Sequence, residues 1–364
     1  MTGYTLNELK ISGRGLILAE GFFGTSTGKT ANGLVRYSRV LKIVGVIDSQ
    51  HAGKDAGTVL DGKCANIPIF SRIEEAIHLN PDWLIIGVAS IGGRLPSAFR
   101  PIVISAIKSG INILSGLHEW LAMDPELKPL AEKHGVRIVD IRRPRPLHEM
   151  NQYSALAEKI GCARIPVLGT DGSIGKRTTA LILYHALRSL GVKVEFVATG
   201  QTGLLQGAEY GVPLDSILGD YMVGELESEI FRAWKEKTPE VILVEGQGSI
   251  SHPAYVCGSR AIICALKPTG IILQHAPGRK VRNFGKGKID IPMPKVEKEI
   301  ELLEIYSGAK TIAITINHEN MTPDDVKMYK KWTREELGIP SWDVLVEGGE
   351  ELALLIKDVC KKMN

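Results

Sequence analysis

The stretch Ala163-Arg-Ile-Pro-Val-Leu-Gly169-Thr-Asp-Gly-Ser-Ile-Gly175-Lys-Arg-Thr-Thr179 reads as a strand, a glycine loop and the start of a helix. In that context consecutive backbone N–H groups and a helix N-terminus face an anion, and Lys176 supplies positive charge. The expected ligand contacts come from Gly169, Thr170, Asp171, Gly172 and Ser173 on the way in, and from Gly175, Lys176, Arg177, Thr178 and Thr179 at the helix start. Two positions depart from G-x-x-x-x-G-K-[ST]. Thr170 stands where the first glycine is expected, with Gly169 one residue earlier. Arg177 stands where a Mg²⁺-binding hydroxyl is expected, so Thr178 or Thr179 would have to supply that ligand. The expectation is phosphate or pyrophosphate binding; the alternative is a glycine turn with a purely structural role.

Working outward, the loop belongs to a long alternation of strands and helices. Upstream, apolar runs at 16–19, 42–47, 83–88, 111–114 and 136–139 read as buried strands, separated by helical patterns. Downstream, strands are expected at 192–198, 241–244, 270–273 and 311–316, with helices at 176–190, 216–235, 295–306 and 350–361. Such alternation implies βαβ units and mainly parallel sheets. The proline-broken run Asp140-Ile-Arg-Arg-Pro-Arg-Pro-Leu-His148 interrupts it and marks the boundary. The expected fold is α/β: a Rossmann-like domain over 1–148 and a P-loop NTPase-like three-layer domain over 149–364. The arginines of the boundary run are either linker residues or a clamp over an anion.

Composition narrows the function classes. The chain has 364 residues, enough for two domains, and 44 basic against 41 acidic residues leave only +3. That balance gives no footprint for nucleic acid or an anionic membrane. The five cysteines are scattered and never spaced as a C-x-x-C pair, which argues against a zinc site or a disulfide framework and for a reducing cytoplasm. No run approaches a membrane span, and the N-terminus lacks an apolar leader. A soluble cytoplasmic protein, assembled as a homo-oligomer and acting on a small molecule, is the expectation.

A second glycine segment, Gly21-Phe-Phe-Gly24-Thr-Ser-Thr-Gly28-Lys29-Thr30, also lies between a strand and a helix. Asp48 follows about twenty residues on, where a dinucleotide-binding domain places its ribose-binding acid. The spacing fits neither template cleanly. NAD(P) binding by this segment and a structural βα turn both stay open. Gly92-Gly93-Arg94 and His118 follow later strands and would line the same cleft.

Gly169-Thr-Asp-x-x-x-Gly-Lys176, Val197-Ala-Thr-Gly200 and Val244-Glu-Gly-Gln-Gly248 resemble, in order, segments of dethiobiotin synthetase and related P-loop enzymes. The resemblance implies that Glu245 reaches a metal, with Thr178 as a further Mg²⁺ ligand if ATP is used. It also implies a catalytic lysine where this chain has Glu195. A fuller resemblance rests on Lys29–Tyr37, Ser115-Gly-Leu-His118, Gly169–Thr179, Ala198-Thr-Gly-Gln-Thr-Gly203 and Glu245–Pro253. These are similar to a two-domain family long catalogued as a domain of unknown function. That family joins a Rossmann-like domain to a P-loop domain. Some members are assigned as N-acetyltransferases of D-glutamate.

The resemblance implies an enzyme that grips acetyl-CoA (or ATP), binds an amino acid and deprotonates its amine. On that basis Glu245, His252 and His275 are the base candidates, and Arg279, Lys280 and Arg282 the carboxylate-binding candidates. Asn317, after a strand, is placed to meet the adenine edge. Rival readings are an ATP-dependent ligase or kinase, and a nucleotide-binding regulator without turnover.

Overall fold

A computed structural model describes residues 3–282 and 290–361. The chain divides into two compact units, residues 1–147 with 201–209, and residues 148–200 with 210–364. The short piece 201–209, which a linear division at 148 leaves in the second domain, clusters with the first.

The first unit holds six strands: β1 Gly13–Leu18, β2 Leu41–Ile47, β3 Ile69–Phe70, β4 Trp83–Ile86, β5 Asn112–Ser115 and β6 Ile138–Asp140. All pair in parallel, in the order β3-β2-β1-β4-β5-β6. This is the doubly wound order, with its switch point between β1 and β4. Every residue of β4 is buried, as expected for a strand covered on both faces. The helix Gln201–Leu205 packs in this unit beside the helix Lys29–Tyr37. The Thr202 and Thr30 hydroxyls lie 2.9 Å apart, and Gln206 Nε2 donates to the Gly33 carbonyl. The boundary arginines fold onto the same unit. Arg142 donates to the Gly116 carbonyl, Arg143 lies over Trp120 and Arg145 over Tyr4. They are packed against this unit's own surface rather than arranged as an anion clamp.

The second unit holds seven: β7 Ala163–Gly169, β8 Val194–Ala198, β9 Tyr210–Gly211, β10 Val241–Glu245, β11 Ile271–His275, β12 Thr311–Ile316 and β13 Ser341–Trp342. They form a second parallel sheet in the order β13-β12-β11-β7-β10-β8-β9. The chain leaves β7 toward β8 but leaves β10 toward β11, so the connections reverse between β7 and β10. Loops at such a reversal part and open a crevice at the strands' carboxyl ends. The helix Lys176–Ser189 covers this sheet with a stripe of Ala180, Leu183, Tyr184 and Leu187. At their carboxyl ends β10 and β11 carry the buried polar residues Glu245, Gln274 and His275. Polar side chains buried there need partners, and they find them at the site described next.

Among the described residues, no helix is long and apolar enough to cross a membrane, and no group of three or more His, Cys, Asp or Glu could hold a metal ion. None of the five cysteines is in a disulfide.

Candidate functional site

The glycine loop lies at the crevice between β7 and β10. Gly175 adopts φ +102°, a left-handed conformation that turns the chain into the helix and that a side chain would strain. A Cβ at Gly172 would meet nothing within 4 Å, so the space beside the loop there is open. Lys176 is buried. Its Nζ donates to the Asp171 carbonyl (2.5 Å) and the Gly248 carbonyl (2.9 Å), tying the loop to the segment after β10. Thr179 is also turned inward: its hydroxyl donates to Gln274 Oε1, as does that of Thr315. Thr170 Oγ1 and His275 Nδ1 are 2.9 Å apart.

Glu245 ends β10 beside this loop. Its Oε2 accepts from the Thr199 N–H at 3.2 Å, and its Oε1 lies 3.8 Å from Arg177 Nη1. Gln247 Nε2 donates to the Thr199 carbonyl, which joins the loops after β8 and β10. Of the residues expected at a Mg²⁺, Glu245 has a guanidinium beside it and the Thr179 hydroxyl is committed to Gln274, while Thr178 is half-buried at the helix start. A divalent cation there would be repelled by Arg177.

Both histidines are held by contacts within the protein. At His252 the backbone N–H groups of Ala254 and Tyr255 both donate to Nδ1, at 3.1 and 3.0 Å. The neutral ring therefore carries its proton on Nε2, which faces Asp171 Oδ1 at 3.5 Å. Burial and then the charge of Arg282 push its pKa down, with Lys176 adding to them and Asp171 opposing. His275 is buried at the end of β11, and burial holds its pKa down at about 4. The sign of the pH effect follows. The unfolded ring gains a proton below about 6.5 and the folded ring does not. The stability linked to His275 is fully present above pH 6.5 and is lost as pH falls toward 4, by roughly 3 kcal/mol in all. Thermal midpoints of His275→Gln should decline less than wild type between pH 6.5 and 4.5.

The expected carboxylate-binding trio is split. Arg279 is spent within the protein: it donates to Asp171 Oδ2 (2.8 Å), to the Gly172 and Ser173 carbonyls and to both oxygens of Glu319. It braces the glycine loop from its flank, and Glu319 and Asp171 hold its pKa up. Arg282 is buried, donating to the hydroxyls of Ser249 and Ser251; Ser251 in turn donates to the buried Glu299, whose pKa burial pushes up. Lys280 alone is exposed. Asn317 is likewise occupied at both ends of its amide. Nδ2 donates to the Ile174 carbonyl and Oδ1 accepts from the Glu319 N–H, so it shapes the loop rather than offering an edge to adenine.

In the first unit, Asp48 is fully buried. It accepts from the Gly21 N–H at 2.7 Å and meets His51 Nδ1 at 2.5 Å. It ties the βα turn together instead of presenting a carboxylate to a ribose. Gly24 N–H is taken by Asn32 Oδ1, and a Cβ on Gly28 would sit 2.1 Å from the Phe22 carbonyl oxygen. Thr30 is buried against Thr202, and only Lys29 and Gly24 of this set are exposed. These contacts favour the structural reading of the turn over a dinucleotide loop. An open cleft of about 360 Å³, lined by Gly92, Arg94, His118 and Glu119, lies at the loops after β4 and β5.

The family model described as the DUF1611 P-loop domain, a domain of unknown function, matches residues 151–353, and its Rossmann-like N-terminal counterpart matches 49–144. The chain belongs to the DUF1611 family. A crystal structure of a DUF1611 family protein from Anabaena variabilis is similar at 30% identity and a TM-score of 0.85, covering 95% of this chain and 99% of that one. Two curated relatives are each named D-glutamate N-acetyltransferase. The one from Tritonibacter scottomollicae is 30% identical, over 80% of this chain and 86% of its own. The one from Pseudoalteromonas is 31% identical, over 76% and 82%. Among the polar pairs of this DUF1611 chain that the sequence reading lacks is His318 with Asp343. His318 Nδ1 lies 2.5 Å from Asp343 Oδ2. The two are far apart in sequence and meet only because β12 and β13 are neighbours.

Proposed function

We propose that this chain is an amino-acid N-acetyltransferase, with D-glutamate as acceptor and acetyl-CoA as donor. The observation that carries the reading is the name shared by two relatives that align over most of both chains. The second unit supports it physically. Lys176, Arg177 and the open backbone around Gly172 suit a pyrophosphate, and the Arg177–Glu245 pair stands where a metal-using loop needs a hydroxyl and a bare carboxylate.

Acetyl-CoA, when bound, supplies an activated thioester. The chain's part is to hold the phosphates on the loop after β7, to place the acceptor amine near the end of β10, and to take its proton. With both histidines committed, Glu245 is the group for that last step, and Thr199 N–H fixes the orientation of its carboxylate. In the overall transfer an N–C bond forms and the C–S bond breaks; Glu245 takes the proton that the amine loses and returns it to the departing thiolate, which leaves as the thiol. Lys280 is the exposed cation of the expected trio for the substrate's carboxylates.

Incubation with acetyl-CoA and a panel of amino acids, followed by mass spectrometry, tests the assignment: N-acetylglutamate should form from the D-enantiomer. The absence of any acetylated amino acid would refute it. Because a guanidinium serves in place of a metal ion, activity should survive EDTA. Arg177→Ser should raise the KM for acetyl-CoA about tenfold or more, although it restores the usual loop spelling. Loss of activity with chelator would show that a metal is needed after all.

A further inference from the structure

The His318–Asp343 pair stands at the carboxyl edge of β12 and β13. Asp343 is 3% exposed and held in place: its Oδ1 accepts from the Leu345 N–H and its own N–H donates to Glu347. With that carboxylate against Nδ1, the neutral ring keeps its proton on Nδ1 and its lone pair on Nε2. The imidazole remains 43% exposed, so a ligand can reach it. The arrangement is the reverse of that at His252, where the lone pair is consumed inside the protein.

The sheet sets the distance to the phosphate loop. β12 is two places from β7, so their carboxyl ends lie about 10 Å apart at the usual strand spacing. A diphosphate seated after β7 carries its ribose and base across a comparable span. Asn317, next to His318, already touches the phosphate loop at Ile174. On the other side of β7, the loops after β10 and β8 are bonded to each other through Glu245, Gln247 and Thr199.

We propose that His318, fixed by Asp343, reads the adenine of the phosphate-bearing ligand, Nε2 accepting a hydrogen bond from its exocyclic amine. This rests on the reading that the loop after β7 binds an adenine-bearing diphosphate, a chemistry shared by coenzyme A and ATP. Among the described residues, no other ring nitrogen near the loop offers a lone pair in this way. His252 spends its own on backbone N–H groups, and His275 is buried against Thr170.

Calorimetric titration of the full chain with inorganic pyrophosphate, ADP, inosine diphosphate and coenzyme A tests this. Inosine diphosphate carries an acceptor oxygen where ADP carries the amine. Wild type should bind ADP on the order of tenfold or more tighter than inosine diphosphate. His318→Ala should bring the two to equal affinity and leave pyrophosphate unchanged. Asp343→Asn, which keeps the ring but loosens its tautomer, should narrow the gap in part. Coenzyme A and ADP should lose affinity by the same factor in His318→Ala, and whichever binds wild type tighter names the source of the adenine.

Equal wild-type affinities for ADP and inosine diphosphate would overturn the proposal while leaving phosphate binding intact. So would an unchanged ratio in His318→Ala, or a fall in kcat with the KM for acetyl-CoA unmoved. Failure of pyrophosphate, ADP and coenzyme A alike to bind would overturn the phosphate reading, and this proposal with it.

Discussion

Glu245→Gln should lower the rate of acetyl transfer by about 10²- to 10⁴-fold, the range that a positioned general base contributes. The substitution keeps the size of the side chain and an oxygen that can accept from Thr199 N–H, so the end of β10 should hold its place. It removes the group that takes the amine proton and the negative partner of Arg177. Affinity for coenzyme A should change little or rise, because Arg177 is then released toward phosphate. Steady-state kinetics together with calorimetry separates the two quantities. A variant with wild-type turnover would return the search for the base to the neighbouring loops.

Lys176→Ala should cost about ten- to a hundredfold in affinity for coenzyme A through loss of a charge-assisted contact. Burial adds a second effect. Without its ammonium, the carbonyls of Asp171 and Gly248 lose their donor, and each unpaired buried carbonyl costs roughly 1–3 kcal/mol unless water reaches it. The variant should therefore bind weakly and also melt at a lower temperature. Lys176→Arg should recover part of the affinity but crowd the space under Gly169, where a Cβ would already stand 2.9 Å from the Lys176 side chain. Calorimetry and thermal melts of the two variants check both parts, and unchanged coenzyme A affinity in Lys176→Ala would remove the loop from the site.

The fold was legible where physics leaves a long local signal. Buried parallel strands read as unbroken apolar runs, which is why the regions of β1, β2, β4, β7, β10 and β12 stood out. β3, β9 and β13 have two residues each, too few for any period. The helix Pro323–Glu336 was missed because it is polar almost all round, with Thr333 as its buried residue. Its start was nonetheless written in Thr322-Pro-Asp-Asp325, which forms a capping box with proline in the first turn.

The site was legible in its loop and not in its partners. A glycine loop is local, so residues 169–179 announced themselves. Which side chains spend themselves on that loop is decided by strand order. Arg279, Lys280 and Arg282 look like one basic patch in sequence, yet neighbouring positions leave the chain in different directions. One braces Asp171, one reaches solvent and one is buried on Ser249 and Ser251. The tautomer of His252 depends on two backbone N–H groups that no residue-type pattern reveals.

The central claim is tested most directly by the initial rate of thiol release from acetyl-CoA in the presence of EDTA, with D-glutamate and with L-glutamate as acceptor. The account predicts sustained release that depends on D-glutamate and is unaffected by the chelator. Release no faster than in the absence of amino acid, with either enantiomer and with or without Mg²⁺, would contradict it.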